Sequence, residues 1–590
     1  MLALDMIVQE ELRKVSRIPE LNLEPKQIYL VSSAEKILDP LIRNHDIIVV
    51  GGAFFGDEAK GKSVAGASRN LDVTMVLRSN SGANAGHTVY FNGKKYVFHN
   101  VPSAMLEENV TNYIGAECVV DPVALMNDEL SQLINESIDY KDRLFIGNVQ
   151  LVTPYHRLMD LVKNLPDEIP EDLNDLRLNN ASTLQGISPV HESKIRKTGL
   201  RLNDLFGDEE RQKEIIEKDM LRYVGELSAR GIDKEKLLEI CEHVNKDKER
   251  IPEHIINFLK ADDKAKYLVD LYKETVIANE SFPEMRNVKH EIQARLEEGE
   301  KLLIEGPQSY WLSNKVENYW GSATSPDTTL AGVLSSAGVN IQDHPFVLIN
   351  VHKAPGSSRV GRGANPTGHV PQTYYSDQGI NKLSDLPDGA CTDFNAIQKL
   401  FWDSIGENGI LNPIEYKDDS GTYLINEAMA IAESIQFGEK GATTEKPRVT
   451  CLFDCVAHAA VMREQGPYTS ISAVDRGDDY DKIGMAIAYV YMHSEGKTEM
   501  SNGKKYNNGD IIKCNDPYPT ENVLAHCHPI VKVMEGWKDE PIAADKRDSK
   551  APLPLGVHNF LAHIEYFTGA EIISIGNGPE TDNLIYLKKE

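Results

Sequence analysis

Short apolar runs that end in glycine or polar residues recur along the chain and predict its strands. The first clear run is Ile47–Val50, which precedes a glycine-rich turn and a segment that can start a helix. Further runs are Thr74–Leu77, Leu302–Ile304, Phe346–Ile349 and Met485–Val490. Continuous apolar runs bounded by turn residues are typical of strands that are buried on both faces, as in parallel sheets. The pattern predicts an α/β protein with a P-loop-type, mostly parallel central sheet flanked by helices.

Two long stretches depart from this alternation, and we predict that they are insertions in the sheet domain. Near 208–300 the sequence is highly charged, and apolar residues such as Ile240 and Val244 follow helical spacing, so this insertion should be helical. Near 370–436 the sequence includes the loop segment Asp385–Gly389, so this insertion should be of mixed structure.

The first 45 residues precede the first clear strand and have a polar, amphipathic pattern. We predict that residues 1–45 form an N-terminal extension, with an amphipathic helix and a polar connection. Residues 46–590 should then form one large catalytic domain that carries both insertions. The extension and the insertion near 370–436 are candidates for an oligomer contact or a lid.

Composition narrows the function classes. The chain has 590 residues and a formal net charge of -27, which argues against broad electrostatic binding to DNA, RNA or anionic lipid. It does not exclude a phosphate held locally by backbone amides. The N-terminus has no basic region before an apolar run, and no stretch is apolar enough to span a bilayer. Seven scattered cysteines fit reduced thiols, so we expect a cytoplasmic protein.

Two groups of side chains resemble metal ligands but lack the spacing of a zinc site. Cys451 and Cys455 could share one face of a helix, and His526, Cys527 and His528 are consecutive. Neither group has a paired partner at the spacing that zinc sites use. The sequence therefore does not favour a metal at either group.

The segment Gly56–Ser63 follows the first strand and matches the pattern G-x-x-x-x-G-K-[ST]. Glycines at these positions let backbone N–H groups approach phosphate oxygens, and lysine supplies positive charge. An ordinary strand-to-helix turn would explain the glycines but not two lysines and an Asp-Glu pair in the same turn. We therefore predict that the loop binds a nucleoside triphosphate through the residues Gly56, Glu58, Lys60, Gly61, Lys62 and Ser63.

Two polar residues near this loop are candidates for catalysis. Asp57 could hold Mg²⁺ or act as a general base, although an acid at a helix N-terminus could also serve only to complement the helix dipole. His87 lies in Asn84–Thr88, after the second predicted strand, and could act as an acid, a phosphate ligand or a transition-state stabiliser. A lone histidine is more often structural. Its position after the second strand favours function, because α/β enzymes place ligands at the ends of neighbouring strands.

The motifs together resemble the adenylosuccinate synthetase family. That family has G-D-E-G-K-G-K and then N-A-G-H-T, and this chain has Gly56–Lys62 and then Asn84–Thr88. The resemblance continues, in the family's order, to the C-terminus. The later motifs are Phe98–Ser103, Gly186–Pro189, Gly199–Arg201, Glu305–Gln308, Asp327–Thr329, Arg359–Gly361, Gly441–Thr444, Val474–Asp475 and Gly578–Pro579.

The resemblance implies a reaction in which a nucleoside triphosphate, GTP in the family, drives the joining of L-aspartate to C6 of IMP through a 6-phosphoryl intermediate. It implies that Asp57 is the base, that His87 stabilises the developing charge, and that Lys60 and Gln308 complete the catalytic set. It implies Mg²⁺ as cofactor, held by Asp57 and the Gly86 carbonyl. The family shares a residue across a dimer interface, so we expect a homodimer.

The resemblance also assigns binding residues for each substrate. The purine monophosphate would contact Asn84, Thr183, Lys197, Gln308, Thr324 and Val360. The guanine end of the triphosphate site would include Asp475 and Gly578. The carboxylates of aspartate would be bound by Thr443, Thr444, Lys446 and Arg448, because a guanidinium fork suits a carboxylate.

Several positions depart from the family pattern. Ala59 replaces a loop glycine, which is tolerable only if its φ stays negative. In the aspartate loop, Glu445 places an acid where the family has glycine, and Lys446 replaces an arginine. Arginine to lysine is not a conservative change where a bidentate carboxylate contact is needed. Ala473 replaces the lysine of the guanine motif, which weakens the case for GTP over ATP. Lys197 stands where the family has the partner-subunit arginine, beside Arg196.

These departures leave other functions open. A phage branch of the family acts on dGMP and tends to replace the catalytic aspartate with a small residue, whereas Asp57 is retained here and favours IMP. A non-catalytic nucleotide-binding regulator on the same scaffold is motivated by Glu445, Lys446 and Ala473. An unrelated P-loop kinase would not account for the later motifs.

Overall fold

A computed structural model describes most of the chain. The described residues are 19–33, 44–70, 73–80, 82–176, 178, 182–246, 248–441, 446–548 and 550–589. Thr443 and Thr444 of the predicted aspartate loop lie outside them, as does most of the predicted N-terminal extension.

The strands within the described residues are β1 (Tyr29–Ser32), β2 (Ile47–Gly52), β3 (Met75–Arg78), β4 (His87–Phe91), β5 (Lys94–Phe98), β6 (Thr111–Ile114), β7 (Val119–Val120), β8 (Leu144–Ile146), β9 (Gln150–Leu151), β10 (Glu284–Met285), β11 (Leu302–Ser309), β12 (Phe346–Lys353), β13 (Ser357–Ser358), β14 (Glu415–Asp418), β15 (Gly421–Leu424), β16 (Thr450–Cys451), β17 (Phe453–Asp454), β18 (Tyr468–Ser472), β19 (Lys482–Tyr491), β20 (Glu499–Ser501), β21 (Lys504–Tyr506), β22 (Ile511–Lys513), β23 (Cys527–Glu535), β24 (Glu571–Gly576) and β25 (Leu584–Lys589).

The α-helices of the same residues are α1 (Lys60–Asn70), α2 (Pro122–Ala124), α3 (Ser131–Asn135), α4 (Pro154–Lys163), α5 (Ile187–Arg196), α6 (Glu209–Ala229), α7 (Lys234–Val244), α8 (Glu253–Lys260), α9 (Lys264–Tyr272), α10 (Val288–Glu297), α11 (Leu330–Ala337), α12 (Tyr374–Asp377), α13 (Phe394–Asp403), α14 (Ile425–Gln436), α15 (Cys455–Gln465), α16 (Glu521–Leu524) and α17 (Leu555–Thr568). Short 3-10 turns connect several of them, among them Tyr310–Leu312 and Val474–Asp479.

The central sheet has eleven strands in the order β1-β25-β24-β18-β12-β2-β11-β3-β6-β8-β10. The nine strands from β24 to β10 run parallel to one another. β25 is antiparallel to β24, and β1 is antiparallel to β25. The predicted fold class, a mostly parallel central sheet within an α/β protein, is confirmed.

Alternate residues of the central strand β2 pack on opposite layers of helices. Ile48 and Val50 join a buried cluster that includes residues of α1, while Ile47 and Val49 join one that includes residues of α10 and α11. All four side chains are at most 1% exposed. Each such buried side chain contributes roughly 1.5–3 kcal/mol relative to exposure. The continuous apolar run therefore reflects a strand covered on both faces, as in other parallel sheets.

The segments predicted as insertions have the secondary structure that their patterns indicated. Residues 208–300 contain the helices α6 to α10, with a buried cluster that includes Ile240 and Ile255. Residues 370–436 contain the helices α12 to α14 and the hairpin β14–β15. The predicted strand at Met485–Val490 is also present, but β19 lies in a second sheet, with β17, β22 and β23. Whether the two segments are insertions relative to other proteins stays a prediction.

The N-terminal segment contributes a strand that its sequence pattern did not predict. Tyr29–Ser32 forms β1 and pairs with β25 at the edge of the central sheet. Tyr29 is buried and its hydroxyl donates to Glu565 (2.9 Å). A polar connection was expected here, whereas the backbone completes the sheet. Among the described residues, no helix combines the length and the apolar character needed to cross a membrane.

Candidate active site

The carboxyl ends of the parallel strands bring most of the predicted site residues to one edge of the central sheet. The glycine-rich loop follows β2, the Asn84–Thr88 motif follows β3, and Gln308 lies near the end of β11. Asp475 follows β18, and Gly578 follows β24. In open α/β sheets the crevice at this edge is where ligands bind.

The loop between β2 and α1 is built around the carboxylate of Glu58. This buried group accepts the backbone N–H groups of Phe54 (3.1 Å) and Gly56 (3.0 Å) and the hydroxyl of Ser309 (2.6 Å). The Lys60 ammonium lies 2.7 Å from Glu58 Oε2. Burial raises the pKa of Glu58, but the opposing effects, led by Lys60, prevail, so the pKa is lowered. Glu58 thus shapes the loop and neutralises Lys60.

Three residues of this loop have positive φ angles. Gly56 (95°), Asp57 (59°) and Ala59 (62°) all lie in the left-handed region. The requirement for a negative φ at Ala59 is therefore wrong: the alanine lies in the left-handed region that favours glycine. A left-handed φ costs a non-glycine residue about 1–2 kcal/mol. The glycine-rich loop keeps its shape here at that cost.

The first turn of α1 needs the glycine that the motif provides. A Cβ on Gly61 would lie 2.8 Å from the Ser103 hydroxyl and 3.4 Å from the His87 Cβ. Ser63 is half-buried, and its N–H donates to Ala59 O (3.2 Å). The close approach at Gly61 puts the start of α1 directly against the His87 motif.

Asp57 is paired with two cations. Its carboxylate forms an ion pair with Arg448 and lies 3.3 Å from the Lys353 ammonium. The Asp57 side chain is 45% exposed, so it borders the open crevice. Arg448 was predicted to bind aspartate and Asp57 to act on the purine. The structure brings these two residues into direct contact.

A buried carboxylate behind Asp57 holds the cations in place. Glu439 accepts hydrogen bonds from Lys353 (2.9 Å) and Arg476 (2.5 Å) and is 3% exposed. Burial raises the pKa of Glu439, but Lys353, Arg476 and Arg448 together outweigh this and lower it well below the usual range. The carboxylate is therefore charged and anchors Lys353, which in turn contacts Asp57.

His87 is buried in a hydrogen-bonded cluster at the start of β4. Its Nε2 lies 3.0 Å from Pro307 O, its Nδ1 contacts the Glu305 carboxylate, and Arg78 Nη1 lies 2.9 Å from Nδ1. Burial and then Arg78 lower the pKa of His87, and Glu305 only partly opposes them. The imidazole is therefore neutral near pH 7, and its contact with Glu305 is a hydrogen bond rather than an ion pair.

Glu305 fixes this cluster from the end of β11. Its carboxylate accepts the N–H (2.8 Å) and the hydroxyl (2.5 Å) of Ser103. Burial raises the pKa of Glu305, but the charge of Arg78 and the hydrogen bonds from His87 and Ser103 outweigh it and lower the pKa to about 2. His87 is thus oriented by a charged carboxylate, and both ring nitrogens lie against protein groups, Nδ1 at Glu305 and Nε2 at Pro307 O.

Lys62 points away from the glycine-rich loop, toward the C-terminal turn. Its ammonium donates to Gly578 O (2.5 Å) and Asn583 O (2.7 Å). Burial lowers the pKa of Lys62 to about 8, against the opposing charges of Asp475 and Glu580. Lys62, Asp475 and Gly578 were all predicted for the triphosphate site. They therefore lie together, at the end of the site where the guanine was predicted to bind. Burial raises the pKa of Asp475, and the positive charge of Lys62 opposes this rise.

The residues predicted for the purine monophosphate are only partly brought together. Asn84 Nδ2 donates to Thr324 Oγ1 (3.3 Å). The buried Gln308 Oε1 has no hydrogen-bond partner within the part of the chain that the structure describes. Val360 donates its N–H to Phe55 O (3.1 Å), and its Cγ2 would lie 3.1 Å from a Cβ on Gly56. Gln308 thus keeps an acceptor for a ligand.

Thr183 lines a polar cavity of about 880 Å³. Part of its wall is formed by the loop before α8, which includes Arg250, and by His99. Arg250 Nη2 donates to Ser182 O (2.9 Å), next to Thr183. Gly86 adjoins the same wall, since a Cβ there would lie 3.2 Å from His99 Cε1. The cavity therefore connects the Thr183 loop with the predicted Gly86 ligand.

Two predicted residues lie apart from the Asp57 and His87 clusters. Lys197 is exposed at the C-cap of α5 with a φ of 61°. Lys446 is exposed as a residue, yet desolvation of its ammonium, then Arg250 and Arg362, lower the pKa of Lys446. Gly441 N–H donates to Lys446 O (2.9 Å), which closes the base of the predicted aspartate loop.

The predicted magnesium ligands have the right chemistry. A carboxylate and a carbonyl oxygen are donors that Mg²⁺ accepts, with phosphate oxygens and water as its other ligands. The Asp57 carboxylate is exposed enough to reach an ion, but it must then leave Arg448. The residues fit the ion, and the ion would compete with an existing ion pair.

The sequence assigned no role to several residues that organise the site, namely Arg78, Ser103, Glu305, Lys353, Glu439 and Arg476, although Ser103 and Glu305 belong to motifs of the family resemblance. A signal existed for Arg78, Glu305 and Lys353, because each stands at or near the carboxyl end of a predicted strand. Glu439 and Arg476 had no such signal, since their roles depend on long-range contacts.

Comparison with known proteins shows which family the chain belongs to. A model of the adenylosuccinate synthetase family matches residues 48–585. An adenylosuccinate synthetase of Trypanosoma brucei gambiense is 51% identical over 587 residues, covering 98% of this chain and 95% of the relative. One of Leishmania major is 49% identical over 594 residues, covering 99% of this chain and 82% of the relative.

A solved structure also shares the fold. The structure of fully ligated adenylosuccinate synthetase from Plasmodium falciparum has a TM-score of 0.60 to this chain at 21% identity, covering 92% of this chain and 100% of that one. The family predicted from the motifs is thereby confirmed, and so is the enzyme class, a ligase. Motifs, fold and sequence identity agree that the chain belongs to the adenylosuccinate synthetase family.

Proposed function

We propose that the chain joins L-aspartate to C6 of IMP, driven by GTP hydrolysis, to give adenylosuccinate, GDP and phosphate. The observation that carries the proposal is the contact between Asp57 and Arg448 beside the glycine-rich loop. It unites the residue suited to deprotonate a purine with the residue suited to bind an amino-acid carboxylate. A kinase or a simple NTPase has no need of the second.

In the first step Asp57 takes the N1 proton of IMP, and O6 attacks the γ-phosphorus of GTP as GDP leaves. Lys60 neutralises the phosphate charge once it turns from Glu58. To donate a hydrogen bond to the oxygens that gain charge, His87 must leave Pro307 O and hold a second proton, which the charged Glu305 beside Nδ1 stabilises. Gln308 positions the purine through its amide.

In the second step the amine of aspartate attacks C6, the C6–O6 bond breaks so that phosphate leaves with O6, and the amine loses a proton. Arg448 binds a carboxylate of aspartate by exchanging its ion pair with Asp57. Thr443, Thr444 and Lys446 complete this part of the site. The exchange releases Asp57 when the amino-acid site is filled, which couples the base to the second substrate.

The remaining predicted residues would bind the nucleotides. Asn84, Thr183 and Thr324 suit the 5′-phosphate of IMP, and Val360 the ribose. Asp475 suits the N–H donors of guanine, with Gly578 in the adjoining turn and Lys62 bracing both. Gly56, Glu58, Gly61 and Ser63 shape the triphosphate loop.

Asp57 and the Gly86 carbonyl would hold Mg²⁺, which when bound neutralises phosphate charge. The chain's own contribution is to place a carboxylate and a carbonyl at the mouth of the crevice. Removal of Mg²⁺ by EDTA should therefore abolish turnover.

A homodimer would complete the site, because Lys197 is exposed and apart from the Asp57 cluster of its own chain. We propose that Lys197, or the adjacent Arg196, reaches the 5′-phosphate in a second copy, and that the enzyme works in the cytoplasm. A solution mass of the monomer at high concentration would contradict the shared site.

Arg250 is a further candidate for the aspartate site. Lys446 stands where the family has arginine, and the charges of Arg250 and Arg362 help to lower the pKa of its ammonium. A group of cations that repel one another is stabilised by an anion. Arg250 can therefore supply the guanidinium that Lys446 does not.

The test is a matrix of IMP, GMP and dGMP against GTP and ATP, with aspartate, and detection of the succinyl product by mass spectrometry. We expect product from IMP with GTP. Product with dGMP but not with IMP would favour the dGMP-specific branch, and nucleotide binding without product would favour a non-catalytic regulator. Asp57→Asn and His87→Asn should each lower kcat at least 100-fold. Their matched controls, Asp270→Asn and His290→Asn, change exposed residues outside the site. Near-normal activity of either site variant would refute its role.

A further inference from the structure

The segment between β19 and β23 contains a group of ligating side chains that the proposed reaction does not use. His493 follows β19, Glu499 begins β20, and His526 precedes β23. Each offers one ligand atom, and these atoms lie within 4.8 Å of one another. Two imidazoles and a carboxylate are donors that zinc accepts, and three protein ligands leave a fourth position for water. We propose that His493, Glu499 and His526 bind one Zn²⁺ ion.

The backbone around His493 holds this ligand in place. Its N–H donates to Asn508 Oδ1 (2.8 Å), and Asn508 Nδ2 donates back to His493 O (3.1 Å). The ring Nδ1 accepts the N–H of Glu495 (3.1 Å). A metal bound at Nε2 places the ring proton on Nδ1, which can then no longer accept a hydrogen bond. The hydrogen bond from the Glu495 N–H must therefore break when the metal binds. The residue is 9% exposed, and the ligand is therefore already largely desolvated.

The other two ligands are held by the short helix α16. Asn522 Nδ2 donates to Glu499 Oε2 (2.9 Å), and the N–H of His526 donates to Val523 O (3.0 Å). The His493 and His526 ring centroids are 4.0 Å apart. Hydrogen bonds of this kind, made to the metal ligands, orient the ligands and contribute to the affinity for the metal.

Only one residue of the consecutive His526–His528 motif belongs to this group. Cys527 is buried, and its thiol is engaged as a donor to Val523 O (3.4 Å). The sequence did not favour a metal because the partner ligands come from a separate loop and strand.

The ion would brace one wall of the proposed purine site. Glu521, in α16, accepts the Ala364 N–H (2.9 Å) and the Ser322 hydroxyl (3.0 Å). Ala364 belongs to the same loop as Val360, the proposed ribose contact. Zinc would tie α16 to β20 and to the loop after β19, and would thereby restrict this loop.

The test measures zinc in the full chain and needs no turnover, so failure of the ligase assay would not affect it. Protein stripped with EDTA is dialysed against buffered Zn²⁺, and bound metal is counted by mass spectrometry. The wild type and the exposed-histidine control His290→Gln should hold one equivalent more than His526→Gln. Zinc affinity should fall at least 100-fold in His526→Gln and in Glu499→Gln, with Co²⁺ absorption bands lost in parallel.

Two results would overturn the proposal. One is an equal zinc count in the wild type and in both site variants, which would place the metal elsewhere. The other is complete displacement of zinc by Mg²⁺, which two imidazole ligands do not favour. If His526→Gln fails to fold, as judged by circular dichroism, Glu499→Gln decides, because it keeps the shape of the side chain.

Discussion

Glu58→Gln tests whether the loop carboxylate is there to neutralise Lys60. Both side chains are buried, at 1% and 6% exposure, and lie 2.7 Å apart. Removing one member of a buried pair costs about 3–5 kcal/mol, because the other charge is left uncompensated. Glutamine still accepts the backbone N–H groups of Phe54 and Gly56, so we take the lower figure of about 3 kcal/mol.

The expected change in melting temperature is small but measurable. An unfolding entropy of about 2.1 cal/mol/K per residue gives roughly 1.2 kcal/mol/K for the whole chain, so 3 kcal/mol lowers Tm by about 2–3 °C. The assay is thermal unfolding at a fixed scan rate. Saturating GTP should raise Tm more in Glu58→Gln than in the wild type, because phosphate then supplies the only counter-charge for Lys60.

A double-mutant cycle separates the ion pair from the loop shape. In a Lys60→Met background no cation is stranded, so Glu58→Gln should cost about 1 kcal/mol or less. An equal cost in both backgrounds would refute the charge argument and leave Glu58 only its contacts with the backbone. Asp270→Asn is the control, since its partner Lys266 is exposed and such pairs contribute at most about 1 kcal/mol.

Further substitutions test other parts of the site. Ala59→Gly should raise the urea midpoint slightly, because relief of about 1–2 kcal/mol of left-handed strain exceeds about 0.4–1 kcal/mol of added unfolded-state entropy; a lower midpoint would contradict the strain. Glu305, with a pKa lowered to about 2, stabilises the fold above about pH 4.5 and loses this as pH falls toward 2. The stability difference between the wild type and Glu305→Gln should therefore shrink by about 2 kcal/mol between pH 6 and pH 3 in urea titrations, and a constant difference would exclude this role. Arg250→Ala should raise the KM for aspartate about tenfold with kcat nearly unchanged, while Lys266→Ala should not; a rise in the KM for IMP instead would place Arg250 at the phosphate.

The parallel sheet could be predicted because its central strands are apolar on both faces. The run at Phe346–Ile349 was visible, but β12 continues to Lys353. The continuation was hidden by Asn350 and His352, which are buried and satisfied by distant partners, Gly466 O (3.0 Å) and His458 (3.0 Å). A sequence pattern shows that a residue is polar, but not that it has a partner in the core.

The same limit applies to the site. The phosphate loop was predictable because its glycines and lysines are contiguous. The ion pair between Asp57 and Arg448 joins residues almost 400 positions apart, so only the fold could reveal it. Spacing along a sequence likewise could not show that Lys62 would turn toward Gly578, because the backbone direction of α1 decides this.

The order of strands in the central sheet has a consequence for synthesis of the protein. β2 emerges early from the ribosome, but its neighbours β11 and β12 begin at residues 302 and 346. At about 5–20 residues per second, the Ile-Val run of β2 waits on the order of 10–50 s for its first partner. An apolar, β-prone segment left unpaired for that time is an aggregation hazard. The growth temperature and the supply of chaperones should therefore affect the yield of native protein more than the stability of the finished fold does.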